Sequence, residues 1–162
     1  MVSKKGIVLT GVMLAAITGA SFVIWLVPQD GKTTFVVTDF EGYLDGVRNI
    51  HEILQESLHA EYQMLLDGNV LPQEYDIAAD GTASQITAEI SRLVTSEPPA
   101  EWTDSYISYM ESMRSFNSYI EETRVVSSMI AGGADASEAI QKTEELKEES
   151  EAHARMSDES RP

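Results

Sequence analysis

A glutamate and a histidine three residues apart, Glu56 and His59, have the spacing found in carboxylate-bridged di-iron bundles. Such a site needs two Glu-x-x-His pairs, and the sequence contains only this one. On the helix predicted below, the pair also projects away from the apolar face, toward solvent. The sequence therefore predicts no di-iron oxidase.

His51, Met110 and Met113 are the residues that could bind a soft metal ion. His51 falls on the apolar face of its predicted helix. If that helix runs parallel to the next long one, His51 lies level with Met113 and near Met110. An imidazole and two thioethers suit copper(I). Methionine more often fills gaps in a core, and a single core histidine is usually hydrogen-bonded and inert. The favoured prediction is therefore no bound metal.

Glu61 and Arg124 are charged residues on otherwise apolar helix faces, so each needs a partner. When the two long predicted helices are aligned from their first residues, Glu61 lies opposite Arg124. We expect a buried ion pair between them. Such a pair would fix the register of the two helices rather than supply a catalytic acid.

Other catalytic and cofactor-binding patterns are missing from the sequence. The chain has no cysteine, which excludes disulfides, zinc ribbons, thiol nucleophiles and iron–sulfur clusters. It also lacks a Gly-x-Ser-x-Gly elbow, a phosphate-binding P-loop, a dinucleotide fingerprint and a His-Glu-x-x-His motif. We expect a protein that is not an enzyme and carries no cofactor.

The charge of the chain is strongly negative and unevenly distributed. The net charge is −16 overall, and nine basic residues against 27 acidic ones follow the apolar N-terminal run, which leaves −18 on that part. This charge repels phosphate backbones and anionic lipid head groups. No nucleic-acid partner is expected.

An uncharged stretch of 24 residues, Gly6 to Gln29, is long enough to span a bilayer, since a helix of that length reaches about 36 Å. Ala20 is the only plausible cleavage site for a signal peptide. Because the apolar run continues past it, retention of the segment as an anchor is favoured over cleavage. Lys4 and Lys5 indicate a cytoplasmic N-terminus. We expect a single-pass protein of the cell membrane, with a cytoplasmic stub at 1–5, a transmembrane helix at 6–28 and an extracytoplasmic remainder.

Gly11, Ala15 and Gly19 recur every four residues along the predicted membrane helix. Small residues at this spacing let another membrane helix approach closely. The same pattern is common by chance in membrane helices, so both interpretations stay open. A protein partner could bind through this face or through the domain that follows.

Helical periodicity dominates the rest of the chain. After a linker at 29–37, capping boxes and apolar stripes predict helices at 38–67, 82–96, 100–130 and about 135–156. Pro72, Asp80 and Gly81 indicate a loop between the first two, with at most a short turn at 74–79. The predicted fold class is all-α: a transmembrane helix followed by an up-down-up-down bundle of two long and two shorter helices. The acidic bundle would occupy 38–156, with a disordered tail at 157–162.

Three segments resemble a group of small membrane-anchored proteins of ammonia-oxidising archaea (thaumarchaea). They are KKGIVLTGVMLAAITGASFVIWLVPQ, VTDFEGYLDGVRNIHEIL and PPAEWTDSYISYMESMRSFNSYI. That group has no assigned activity, so the resemblance implies an archaeal cell-envelope setting and transfers no site residue.

A tethered domain without catalytic motifs is typical of an interaction module. We expect an accessory or assembly subunit of an envelope or membrane complex. The alternative is an extracytoplasmic sensor or carrier domain that binds a ligand or metal, with the aromatic helix at 100–130 lining its pocket.

Overall fold

Four α-helices make up most of the part of the chain that the computed structural model describes, residues 37–162. Helix α1 spans Phe40–Leu66, α2 spans Pro72–Thr95, α3 spans Ala100–Ala131 and α4 spans Ser137–Glu159. No strand occurs within this range. The all-α prediction is therefore confirmed for residues 37–162.

The N-terminal predictions lie outside the described residues. These are the stub at 1–5, the transmembrane helix at 6–28 with Gly11, Ala15 and Gly19, and nearly all of the linker at 29–37. None of the four helices in residues 37–162 combines the length and the apolar composition needed to cross a bilayer.

Helix α2 begins ten residues earlier than predicted. Pro72 occupies its first turn, where a missing N–H costs nothing, and Glu74 Oε2 accepts a hydrogen bond from the Leu71 N–H at 3.2 Å. Tyr75 and Ala79 are fully buried in the core. Their burial outweighs the cost of about 1 kcal/mol for a glycine such as Gly81 inside a helix. The predicted loop and the helix start at residue 82 are wrong.

Helix α4 extends beyond its predicted end, so the disordered tail at 157–162 is also wrong. Ser150 and Ser157 are completely buried, and the helix continues to Glu159. Beyond the helix, Arg161 lies 2.7 Å from Asp45 of α1. The prediction counted apolar residues only, whereas this half of α4 packs through small polar ones.

The helices alternate in direction. Ser127 near the end of α3 donates a hydrogen bond to the Pro72 carbonyl at the start of α2. At the start of α3, the Tyr106 hydroxyl donates to the Phe40 carbonyl at the start of α1, which makes α1 and α3 parallel. The up-down-up-down arrangement is as predicted. The lengths are more even than predicted, with 27, 24, 32 and 23 residues from α1 to α4.

Helices α3 and α4 approach each other most closely because small side chains line their contact. Two serine pairs lie seven residues apart on both helices. Ser105 Oγ is 3.1 Å from Ser157 Oγ, and Ser112 Oγ is 3.3 Å from Ser150 Oγ. All four residues are fully buried, and we call them the serine seam. Large side chains fill the rest of the core, including five buried tyrosines: Tyr62, Tyr75, Tyr106, Tyr109 and Tyr119.

Candidate functional site

A groove separates α1 from α4. No Cα atom of one helix lies within 8 Å of the other, so the two helices meet only through long side chains. Arg48 bonds to Asp158 at 2.6 Å at one end of the groove. Gln55 reaches Ser150 at 3.4 Å in the middle, but neither bridge closes the space between the helices. The bundle is therefore open along this side.

The groove has two adjoining segments, which share Glu52, Gln55 and Glu151. The aromatic segment has a volume of about 270 Å³, and Phe116 and Tyr119 of α3 contribute to its lining. The histidine segment has a volume of about 240 Å³. It is lined in addition by Arg48, His51, Tyr109, Ser112, Ala154 and Arg155.

His51 lies in the wall of the histidine segment and is only 1% exposed. Its Nδ1 is 3.0 Å from the Tyr109 hydroxyl, and its ring packs against Phe116 with centroids 5.1 Å apart. Burial, and secondarily the positive charge of Arg48, lowers the pKa of His51 to about 4. The imidazole is therefore neutral at pH 7, and its Nε2 has no hydrogen-bond partner among residues 37–162.

Two residues that line the aromatic segment each have a buried polar atom without a partner within the described part of the chain. The atoms are the Tyr119 hydroxyl oxygen and Nδ1 of His59. Tyr119 is almost completely buried, and its ring stacks on Phe116 at a centroid distance of 5.5 Å. Burial raises the pKa of the Tyr119 phenol, which keeps it protonated and able to donate or accept a hydrogen bond.

Arg48 shows how the groove already holds one cation. Its guanidinium lies over the ring of Tyr109, with the central carbon 5.1 Å from the ring centroid. The same group forms the 2.6 Å ion pair with Asp158. An aromatic face and a carboxylate thus bind a positive charge together, a combination that stabilises organic cations generally.

The less favoured interpretation of His51, Met110 and Met113 as a copper(I) site gains no support from this geometry. The hydrogen-bond partner of His51 is Tyr109, and its ring neighbours are aromatic. Met113 is buried in the core and Met110 packs partly against it. Within residues 37–162, no group of three or more histidine, aspartate or glutamate side chains could hold a metal ion.

The predicted ion pair between Glu61 and Arg124 is wrong. Arg124 Nη1 lies 3.0 Å from Asp80 Oδ1 and 3.3 Å from Glu121 Oε2. Asp80 was assigned to a loop, but the longer α2 places it on a helix beside α3. A carboxylate on the neighbouring helix therefore takes the position predicted for Glu61.

The sequence patterns did not predict the groove between α1 and α4. Glu56 and His59 were expected to face solvent without a role, but both line the aromatic segment. His51, Gln55 and His59 recur every four residues and therefore lie along one side of α1. That spacing was a usable signal. The width of the space between α1 and α4, however, has no local sequence pattern.

Comparison with known proteins gives no matching family model and no significantly similar curated protein or solved structure.

Proposed function

We propose that this chain is a membrane-tethered, extracytoplasmic interaction module, an accessory or assembly subunit of an envelope or membrane complex. The observation that carries the proposal is a second stripe on α1, made of exposed apolar and small residues, which faces outward. Its members repeat at alternating intervals of four and three residues, as in a coiled-coil seam. We call it the outer stripe: Gly46, Ile50, Ile53, Ser57, Ala60 and Met64.

All six residues of the outer stripe are exposed, and no other helix of the bundle covers them. Ile53 is 58% exposed, Met64 44% and Ile50 38%. Single exposed apolar residues are common, but a contiguous row at this spacing is typical of a helix-binding surface. The small side chains of Gly46, Ser57 and Ala60 would let a partner helix approach closely.

The charges around the outer stripe favour a basic partner helix. Glu56 and Glu61 lie on either side of it, and Glu61 forms no ion pair with another described residue. Arg48 is the one arginine or lysine of α1, and it already pairs with Asp158. A second copy of this acidic chain would be repelled, so we assign the stripe to a basic amphipathic helix of another protein.

The tether is the uncharged segment at 6–28, which supports placement in the membrane with the N-terminus in the cytoplasm. The acidic bundle would then lie outside the cell, where its charge keeps it from binding anionic lipid. An archaeal envelope setting, implied by the resemblance, is part of the same proposal. Protease added to intact cells should remove the bundle, whereas protection of the C-terminal region would contradict this orientation.

Site-specific photo-cross-linking in native membranes tests the interaction surface. A photoreactive residue at position 53 of the full-length protein should form a cross-link to a protein whose linked peptide lies in a basic amphipathic helix. The matched control is position 107 on α3, where Ile107 is also exposed, at 47%, but belongs to no such row. In the complex reconstituted from this protein and its partner, Ile53→Glu should weaken binding. Ile107→Glu should leave the complex intact.

Equal cross-linking from both positions, or a linked peptide from a second copy of the chain, would contradict the proposal. So would a complex that resists high salt, because the assigned partner is attracted by charge.

A second candidate function, that of an extracytoplasmic ligand carrier or sensor, is favoured by one observation. Two residues that line the groove between α1 and α4, His51 and Tyr119, each have a buried polar atom without a partner in residues 37–162. A cavity with a few such atoms is typical of a small-molecule site.

A further inference from the structure

We propose that the basic partner helix lies across both α1 and α2, seated between the outer stripe and a second exposed row on α2, with its basic side chains at the end beside Glu61. This arrangement rests on the proposed function, since it concerns the same partner. It gives the bound helix a second contact and a direction.

The second row runs along the outward side of α2. Its residues repeat at alternating intervals of four and three, as in the outer stripe, and all six are exposed. We call it the α2 row: Ile77, Gly81, Ser84, Ala88, Ser91 and Thr95. Ile77 is 74% exposed, more than any other large apolar side chain in residues 37–162. The row therefore combines small residues, which allow close approach, with one apolar side chain that no described residue covers.

The outer stripe and the α2 row lie level with each other on neighbouring antiparallel helices. The ring of Tyr62 on α1 contacts that of Tyr75 on α2, with centroids 5.8 Å apart. Equal numbers of residues counted from this contact in opposite directions therefore reach the same level on the two helices. The residues at matching levels include Gly46 with Ser91, Ile53 with Ser84, and Ala60 with Ile77. Each row spans about 27 Å, so one helix of the same length can contact both along their whole course.

Both rows face the same side of the bundle. Glu56, on one flank of the outer stripe, lines the groove toward α4, so the other flank turns toward α2. On α2, Thr87 lies toward α3, where it accepts a hydrogen bond from Asn117 at 3.3 Å. Arg92 lies toward Tyr43 of α1. The α2 row runs between these two sides of its helix, and the two rows therefore form one continuous surface.

The charges of this surface give the partner helix its direction. Neither row contains a charged residue, although the chain beyond the apolar N-terminal run carries a net charge of −18. Between the rows, Glu61 lies toward the end of α1 and Arg92 toward its start. Arg92 is paired with the buried Glu89 at 2.7 Å, whereas no described ion pair contains Glu61. A basic side chain of the partner is therefore attracted to the end with Glu61 and repelled from the end with Arg92.

Photo-cross-linking of the full-length protein in native membranes tests the arrangement. Photoreactive residues at positions 53 and 84 should both link to the same helix of one partner. The peptide residue linked from position 60 should lie beside the basic residues of that helix, and the one linked from position 46 should lie away from them. The control is position 94, because Val94 is 56% exposed on α2 but projects about 100° away from the α2 row and should not link to this helix.

The affinity of the reconstituted complex gives a second readout. Ile77→Gln should weaken binding about tenfold, since it removes an apolar contact, whereas the matched variant Val94→Gln should change binding less than about twofold. Glu61→Gln should weaken binding about threefold. Its matched control is Glu148→Gln, which removes the same charge from an exposed position of α4 and should change the affinity less than about twofold.

The outcomes separate this arrangement from the proposed function. Links to a basic helix from position 53 but not from position 84 would overturn the arrangement and leave the proposed function standing. Links from neither position would overturn both. The arrangement also fails if positions 53 and 84 link to different proteins, if Ile77→Gln and Val94→Gln weaken binding equally, or if the basic residues lie beside the link from position 46.

Discussion

His51 and Tyr109 form a buried pair of side chains joined by a hydrogen bond. Its imidazole is almost fully enclosed and lies close to the guanidinium of Arg48, so a second positive charge there is strongly disfavoured. Burial also raises the pKa of the Tyr109 phenol. Both groups therefore stay uncharged at neutral pH, and the 3.0 Å contact between them is a neutral hydrogen bond.

Acid should destabilise the bundle through His51. Above pH 6.5 the imidazole is neutral in both the folded and the unfolded chain. As the pH falls from 6.5 toward the folded pKa of about 4, the unfolded chain binds a proton and the folded one does not. The free energy of unfolding should therefore drop by about 3 kcal/mol across this window, with no further loss from this group below it. Urea titrations at several pH values measure the drop.

The control for this pH effect is the variant His51→Leu, whose unfolding free energy should lose that part of its pH dependence. NMR of the wild-type protein gives an independent check, since the His51 ring signals should not titrate between pH 5.5 and 8. A midpoint near 6.5 for His51 would show that the ring is not enclosed as described.

Among the helices, the contact of α3 with α4 depends on the serine seam. The hydroxyl groups of Ser105 and Ser150 each donate to a main-chain carbonyl of the opposite helix, Ser157 and Ser112 respectively. These bonds satisfy buried polar groups without adding bulk, and the two backbones can approach closely. Larger residues on the seam would separate the helices.

Ser112→Leu should therefore destabilise the protein by about 3 kcal/mol, because it overpacks the seam and removes a hydrogen-bonding hydroxyl. The matched control is Ser118→Leu, on the same helix, where the side chain is exposed. That change should alter the free energy of unfolding by less than about 0.5 kcal/mol. Denaturant unfolding of both variants measures the difference, and similar losses would argue against close packing at residue 112.

The sequence predicts the helices well where apolar residues repeat and poorly where small polar ones do the packing. Helix α1 follows its stripe, and its observed cap, Asp39, lies one residue from the predicted Thr38. Helix α2 was shortened because Pro72 and Gly81 were interpreted as breakers. The end of α4 was assigned to a tail because this helix has few apolar positions and many acidic ones.

Contacts between helices were the least predictable feature. The pairing of Arg124 with Asp80 depends on where α2 begins, so an error of ten residues in one element changed the partner of a residue in another. The groove depends on the distance between α1 and α4, which no local sequence pattern encodes. Individual residues of the site, such as His51 and His59, were noticed, but their common surface was not.

Over the whole molecule, like charges oppose folding. Residues beyond the apolar N-terminal run carry a net charge of −18. Most ion pairs in the described part of the chain involve an exposed partner and contribute little. Screening by salt should therefore weaken the net repulsion among the acidic residues more than it weakens the attraction within the ion pairs.

Added sodium chloride should accordingly stabilise the bundle, by about 1 kcal/mol as the Debye length falls from ~30 Å to ~8 Å. Thermal unfolding at fixed pH and detergent concentration measures this effect, and sodium sulfate at equal ionic strength serves as a comparison. A fall in stability with sodium chloride would mean that the surface ion pairs outweigh the net repulsion.

The ion pair of Arg161 with Asp45 has a consequence for the path of the chain. It holds residue 161 beside the first turns of α1, so residues 37 and 162 emerge at one pole of the bundle. The connections at 67–71 and 132–136 lie at the other. In the bundle taken by itself, a short peptide could join residue 162 to residue 37, and the order of the four helices could be circularly permuted by cutting either distal turn.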